Sequence, residues 1–141
     1  MKDIIDLIAR MCLSGIFLFE AFTSIKFMGR TKETMQQYGF TWNQDLLLYS
    51  TIFALTVGGI FLLIGYRTTF AVFLLLIYWV PVTFTVYSFW NDPSNVRNIH
   101  SIIFMKNIAI IGGLLLVWIH DPGKYSIKRL VGMTKLPKEK W

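Results

Sequence analysis

Cysteine, charge and metal-ligating clusters are scarce in this chain, and each shortage removes a class of function. The one cysteine, Cys12, cannot form an intramolecular disulfide, and no Cys-x-x-Cys pair is present for thiol–disulfide exchange. Cys12 reads as a small packing residue inside an apolar segment. The two histidines, His100 and His120, fall at opposite ends of one expected helix, about 30 Å apart at the standard rise. No cluster of Cys, Asp or Glu stands beside either at ligand spacing, so no metal or haem site is expected. There is no glycine-rich phosphate loop and no Ser/His/Asp arrangement. Charged residues make up only 16% of the 141, against about 25% in soluble chains.

Apolar residues fill the chain instead. Hydrophobic residues reach 55% and aromatics 16%, and residues 46–66 and 68–91 carry no charge at all. Each run meets the ~20 residues that cross a bilayer core. The expectation is an all-α integral membrane four-helix bundle, a single domain over residues 1–141, with helices at residues 4–27, 46–66, 68–90 and 99–119. The net charge of +6 is placed for lipid and not for nucleic acid. Lys124, Lys128, Arg129, Lys135, Lys138 and Lys140 crowd a basic tail at residues 120–141, as in segments that face anionic headgroups. Lys2 and Arg67 fall on the same side as that tail, whereas Arg30, Lys32 and Arg97 fall on the other. This bias predicts cytoplasmic N and C termini in the cell (inner) membrane, with the lipid bilayer as the first partner.

The first span carries Arg10 and Glu20, and no small-residue cleavage site follows it, so it reads as a retained helix and not as a signal peptide. Glu20, Thr23, Ser24 and Phe27 share one helical face, expected to look into the bundle. Residues 28–45 mix charges, amides and aromatics. A short interfacial helix over residues 31–38 is expected there as an anchored connector, with Tyr38, Phe40 and Trp42 at headgroup level. Gly58, Gly59 and Gly65 mark close helix approach. Pro81 removes a backbone donor from the third span, with Thr83 and Thr85 placed to resatisfy what it frees.

In their order, these residues resemble the DoxX family of small four-helix membrane proteins. Lys106-Asn107, then Ile108, then Gly112-Gly113-Leu114-Leu115 is similar to that family's fourth-helix run, and Pro122-Gly123-Lys124-Tyr125-Ser126 to its ending. Gly58-Gly59 with Leu62, Leu63, Gly65 and Arg67 is similar to its second-helix pattern, and Arg10 and Lys26 to its basic flanks. The chain departs where many members carry an acidic residue before the second-helix glycine pair. Leu55, Thr56 and Val57 stand there, and Glu20 lies in the first helix instead. The resemblance implies membership of a membrane redox system, like the small subunit of a thiosulfate:quinone oxidoreductase, or a link to oxidative stress. More distant relatives imply a membrane chaperone. No catalytic residue carries over, because no single catalytic motif defines the family.

Glu20 and Lys106 lie in the same half of their apolar helices, and a lone charge at the bilayer centre costs about 2.5–3.5 kcal/mol on the gentlest scale. Glu20 lies about 12 Å and Lys106 about 10 Å below the same membrane face by helical rise, which predicts an ion pair between the first and fourth spans. Thr23, Asn107 and Tyr87 reach the same level, with Lys26 and His100 nearer the rim. Such a set either lines an outward-facing pocket, whose Lys106, Asn107 and Tyr87 would hydrogen-bond a quinone carbonyl, or forms a structural salt bridge. Arg10 either snorkels to the cytoplasmic face or bonds backbone carbonyls or Ser14. The chain carries no cofactor ligand of its own. Two readings therefore stand: a quinone-interacting redox accessory subunit, non-catalytic alone and working with a protein partner, or an assembly or scaffold protein acting on another membrane protein or on its own copies. A solute carrier is disfavoured, since the spans show no internal repeat.

Overall fold

The computed structural model describes residues 1–120, 125–127 and 131–132. Its long helices are α1 (Lys2–Lys26), α3 (Gln44–Ile64), α4 (Thr68–Val86) and α5 (Ser94–Ile119), with a short α2 (Met28–Gln37) after α1 and a 3-10 turn (Phe89–Asn91) before α5. The described residues contain no strand, so the fold is all-helical. Three stretches, Gln44–Ile64, Thr68–Asn91 and Ser94–Ile119, are long and apolar enough to cross a membrane. The 25 residues of α1 reach about 38 Å by the same rise. The basic tail residues singled out above lie outside the described residues.

The spine of the bundle is α3. Its buried residues Leu48, Thr51, Leu55, Gly58, Gly59 and Leu62 recur at steps of three and four, and so do Arg10, Ser14, Phe17, Ala21 and Ser24 on α1. These two stripes meet in the most extensive helix contact, and α4 packs on the other flank of α3. The glycine pair makes both approaches possible. A Cβ on Gly58 would meet Leu75 of α4 at 2.7 Å, and one on Gly59 would meet Leu18 of α1 at 2.9 Å. Each glycine is a socket for one leucine, on opposite flanks of the same helix. Below them α3 stops in a Schellman turn. Gly65 takes φ 67°, its N–H donates to the Leu62 carbonyl, and the Tyr66 N–H donates to the Phe61 carbonyl. A Cβ on Gly65 would also strike the Arg10 guanidinium.

Two expectations need correction. The inward stripe of α1 runs through Phe17, Ala21 and Ser24, while Phe27 is 45% exposed. Glu20 and Thr23 therefore sit at the edge of the buried stripe and not on its axis. The threonines after Pro81 do not replace the donor it removes. Thr83 donates to the Trp79 carbonyl at 2.7 Å and Thr85 to the Pro81 carbonyl at 2.8 Å, both back-bonds within their own helix. The carbonyl that loses its helical donor is that of Ile77, four residues before the proline. The helix α5 is less enclosed than the other long helices, with Asn107 and Leu114 as its buried residues. It packs on α4 and touches α1 along a short seam, where Gly113 receives Leu13.

Candidate functional site

A cavity of about 420 Å³ lies at the end of the bundle where α1 finishes and α3 begins. Five residues give it polarity from the bundle: Glu20 of α1, Thr51 of α3, Tyr78 and Thr85 of α4, and Tyr87 just beyond α4. Arg30, Thr31 and Thr34 of α2 add a second polar wall, and Leu47, Ile77, Val82 and Val86 are among the apolar residues. The Thr31, Thr34 and Thr85 hydroxyls donate to the Phe27, Arg30 and Pro81 carbonyls at 3.2, 3.0 and 2.8 Å. With its proton so committed, a threonine presents lone pairs only. Pro81 and Ile77, the residue whose carbonyl the proline frees, line the same cavity.

Glu20 is half-buried and forms neither a hydrogen bond nor an ion pair among the described residues. Its carboxylate lies near enough to Tyr78 and Tyr87 to act on both electrostatically. Neither tyrosine hydroxyl has a hydrogen-bond partner among the described residues. The cavity thus offers acceptors at Glu20 and the threonines, and donors at the two phenols and Arg30, within an apolar frame. That balance suits a flat amphipathic molecule with polar groups at its edge.

The connector serves as the roof of this cavity. Lys32 of α2 is ion-paired to Asp45 in the first turn of α3, and Gln36 donates to Gln44 at 3.3 Å. Gly39 (φ 84°) and Asn43 (φ 45°) reverse the chain between them. The Asp45 hydrogen bond raises the Lys32 pKa above its ordinary value. The expected short helix exists, beginning at Met28 and not at Thr31. The Lys32–Asp45 and Gln36–Gln44 contacts tie it to α3, and its inner face builds the cavity.

Of the residues expected to line a pocket, the structure brings Glu20 and Tyr87 together and separates the rest. Glu20 and Lys106 do not pair. Each lies seven residues from the Leu13–Gly113 contact, about 10 Å toward the same end. They share a level, but the seam between α1 and α5 is short. Thr85, also singled out, joins Glu20 and Tyr87 on the cavity wall among α2, α3 and α4, whereas Lys106 is exposed on the outside of α5. Asn107 is buried on α5 and Thr23 half-buried on α1, neither of them on the cavity wall. Lys26 is exposed, stacked over the Phe27 ring at 5.5 Å. His100 pairs with Asp92 at 2.6 Å and packs its ring on Tyr87 at 5.9 Å, so it supports a wall residue from behind. Tyr78, Arg30, Thr31 and Thr34 were missed. The signal for Thr31 and Thr34 was their i, i+3 spacing on a short amphipathic helix; Tyr78 gave none beyond aromatic bulk.

At the opposite end, Arg10 is 0% exposed. It donates to Asp6 at 3.0 Å, to the Leu63 carbonyl at 3.3 Å and to the Tyr125 carbonyl at 2.7 Å. Of the alternatives for Arg10, backbone carbonyls are the ones realised. Among the described residues no group of His, Cys, Asp and Glu is placed to hold a metal.

A profile of the DoxX family matches residues 5–88, from α1 through α4. The glycine run of α5, where the sequence likeness was strongest, lies beyond that match. The chain is 31% identical over 133 residues to inner membrane protein YqjF of Escherichia coli (strain K12), covering 93% of this chain and 95% of that protein. It is 30% identical over 101 residues to ER-derived vesicles protein ERV29 of Saccharomyces cerevisiae. That alignment covers 72% of this chain but only 32% of the yeast protein. No solved structure matches.

Proposed function

The chain belongs to the DoxX family, and from that premise we propose a membrane-embedded accessory subunit that binds a quinone or quinol headgroup in the cavity roofed by α2. One observation carries the reading: among the described residues Glu20 is a carboxylate without a bonding partner, set beside two phenols whose hydroxyls are likewise unpaired, in a largely apolar cavity. A quinol O–H would donate to Glu20, and a quinone carbonyl would accept from Tyr78 or Tyr87. The ring would lie against Leu47, Ile77 and Val82. In this reading α1 is a fourth span, both termini are cytoplasmic, the cavity opens toward the outer half of a cell inner membrane, and the electron-transfer chemistry belongs to a partner.

The test is mass spectrometry of the tagged protein extracted gently from its native membrane. The reading expects quinone bound to wild-type protein and lost from Glu20→Gln and Tyr87→Phe. Wild-type protein without quinone, or variants that retain it, would overturn the reading.

A second reading rests on Lys106. It is exposed near the middle of α5, just after Ile102 and Met105, which are exposed too. An ammonium on a lipid-facing surface is stabilised by a carboxylate on another membrane helix. That favours an assembly or scaffold role, with a partner or a second copy docked on α5. Lys106→Leu should release a co-purified membrane protein without affecting quinone. Retention of every partner by this variant would remove the second reading.

A further inference from the structure

A second cavity, of about 670 Å³, lies at the end of the bundle away from Glu20, where α3 turns into α4. We propose that it binds the phosphate of an anionic phospholipid. Its polar side is the start of α4. Arg67 precedes that helix at φ 44°, and no side chain caps the first turn. The amides of Thr68, Thr69 and Phe70 therefore have no intrahelical acceptor and point outward, with the positive end of the helix dipole behind them.

An uncapped helix start would not suffice alone, but Thr68 supplies an independent sign. It is only 5% exposed, lines the cavity, and its hydroxyl makes no hydrogen bond among the described residues. Unpaired among the described residues and not sealed from the cavity, this hydroxyl is open to an external partner beside the free amides. Arg67 is exposed beside it, without a hydrogen bond or ion pair among the described residues. Three donor types thus converge: amide, hydroxyl and guanidinium.

The rest of the cavity distinguishes a lipid from free phosphate. Phe70, Phe73 and Trp118 line it and are each about half exposed. They form an apolar wall leading away from the donors along the membrane-crossing stretch that begins at Thr68. The donors therefore stand at the end of a span, at headgroup depth, and the aromatic wall continues where acyl chains would run. Arg10 fixes Tyr125 at this same end.

The experiment uses the full chain in nanodiscs and native mass spectrometry. The probes are phosphatidylglycerol, phosphatidylcholine with the same acyl chains, and inorganic phosphate alone. Wild-type protein should retain phosphatidylglycerol in preference to phosphatidylcholine. Arg67→Gln should weaken that retention about fivefold, the scale for one basic residue at an anionic surface. Thr68→Val should weaken it less, Arg67→Lys should largely restore it, and Lys2→Gln, a charge removed elsewhere at the same end, should leave it unchanged. Equal retention of both lipids would overturn the proposal. So would equal loss in Lys2→Gln and Arg67→Gln, or stabilisation by inorganic phosphate as strong as that by phosphatidylglycerol. A correctly inserted Thr68→Val protein keeps the test decisive if Arg67→Gln does not assemble.

Discussion

Arg10 and Glu20 lie on the same helix, one in each half, and both charges enter the bundle. Arg10 is fully enclosed and donates to Asp6, Leu63 and Tyr125. Glu20 is half-buried, faces a cavity, and has no bonding partner among the described residues. The difference separates two uses of membrane-buried charge. A charge whose hydrogen-bonding capacity is met inside the protein ties elements together. A charge whose capacity is left open is available to something else.

The comparison breaks most visibly if Arg10 can be dispensed with. Arg10→Met leaves two carbonyls and Asp6 without their guanidinium and should cost about 3–5 kcal/mol, the scale for removing one side of a buried charged contact. Unfolding of the purified protein in a denaturing detergent series would measure it. An unchanged midpoint would mean that Arg10 is as idle structurally as Glu20.

The glycine pairs offer a second contrast, one step smaller. Gly58 holds Leu75 in its socket, whereas nothing lies within 4 Å of a Cβ placed on Gly112. Gly58→Val should therefore cost about 1–3 kcal/mol through overpacking, and Gly112→Ala should be neutral or gain up to about 1 kcal/mol from helix propensity. The same unfolding assay separates them. Equal effects at the two positions would contradict the central place of α3.

That contrast also shows how far the residues announced the structure. The long helices were legible because uncharged runs of that length have few other homes. Which helix lies at the centre was not legible. Residues facing lipid and residues facing protein are both apolar, so periodicity does not tell the two faces of α5 apart. Lys106 pointed inward by its charge, yet it and its neighbours Ile102 and Met105 are exposed on α5. The Glu20–Lys106 pairing had a sound level but no seam to support it, since axial arithmetic fixes height and not which helices touch. The partners of Arg10 are main-chain carbonyls of Leu63 and Tyr125, and side-chain spacing does not reveal these. Glu20 and Tyr87 were legible as site residues because polar groups are so rare in such spans that each invites a question.

A smaller effect concerns the roof. The Asp45 hydrogen bond raises the Lys32 pKa above the ordinary 10.5. A raised pKa in the folded state means the stabilisation is complete below the ordinary lysine value and is lost as pH climbs through the folded one. The clasp between α2 and α3 should thus be intact at neutral pH and loosen above about 10.5. A spin label at Gln37→Cys, in a Cys12→Ala background, would report α2 becoming mobile over that range. In Lys32→Met the mobility should already be high at pH 7 and should not change with pH. A label insensitive to both would mean that α2 is held by its cavity contacts alone.

The smallest expected effect on stability is the most informative, because it concerns Glu20 itself. Glu20→Gln keeps the shape and removes the charge, and among the described residues there is no bond to break. The unfolding midpoint should move by no more than about 0.5 kcal/mol, in the same assay where Arg10→Met is costly. The neutral amide also avoids the desolvation that a half-buried carboxylate suffers, so a slight gain is in keeping with the argument. A loss comparable to that of Arg10→Met would show that Glu20 holds the bundle together, and the cavity would then have no open carboxylate to offer a ligand. A null effect on stability together with loss of a bound headgroup would place the two charges of α1 in different roles, one structural and one for binding.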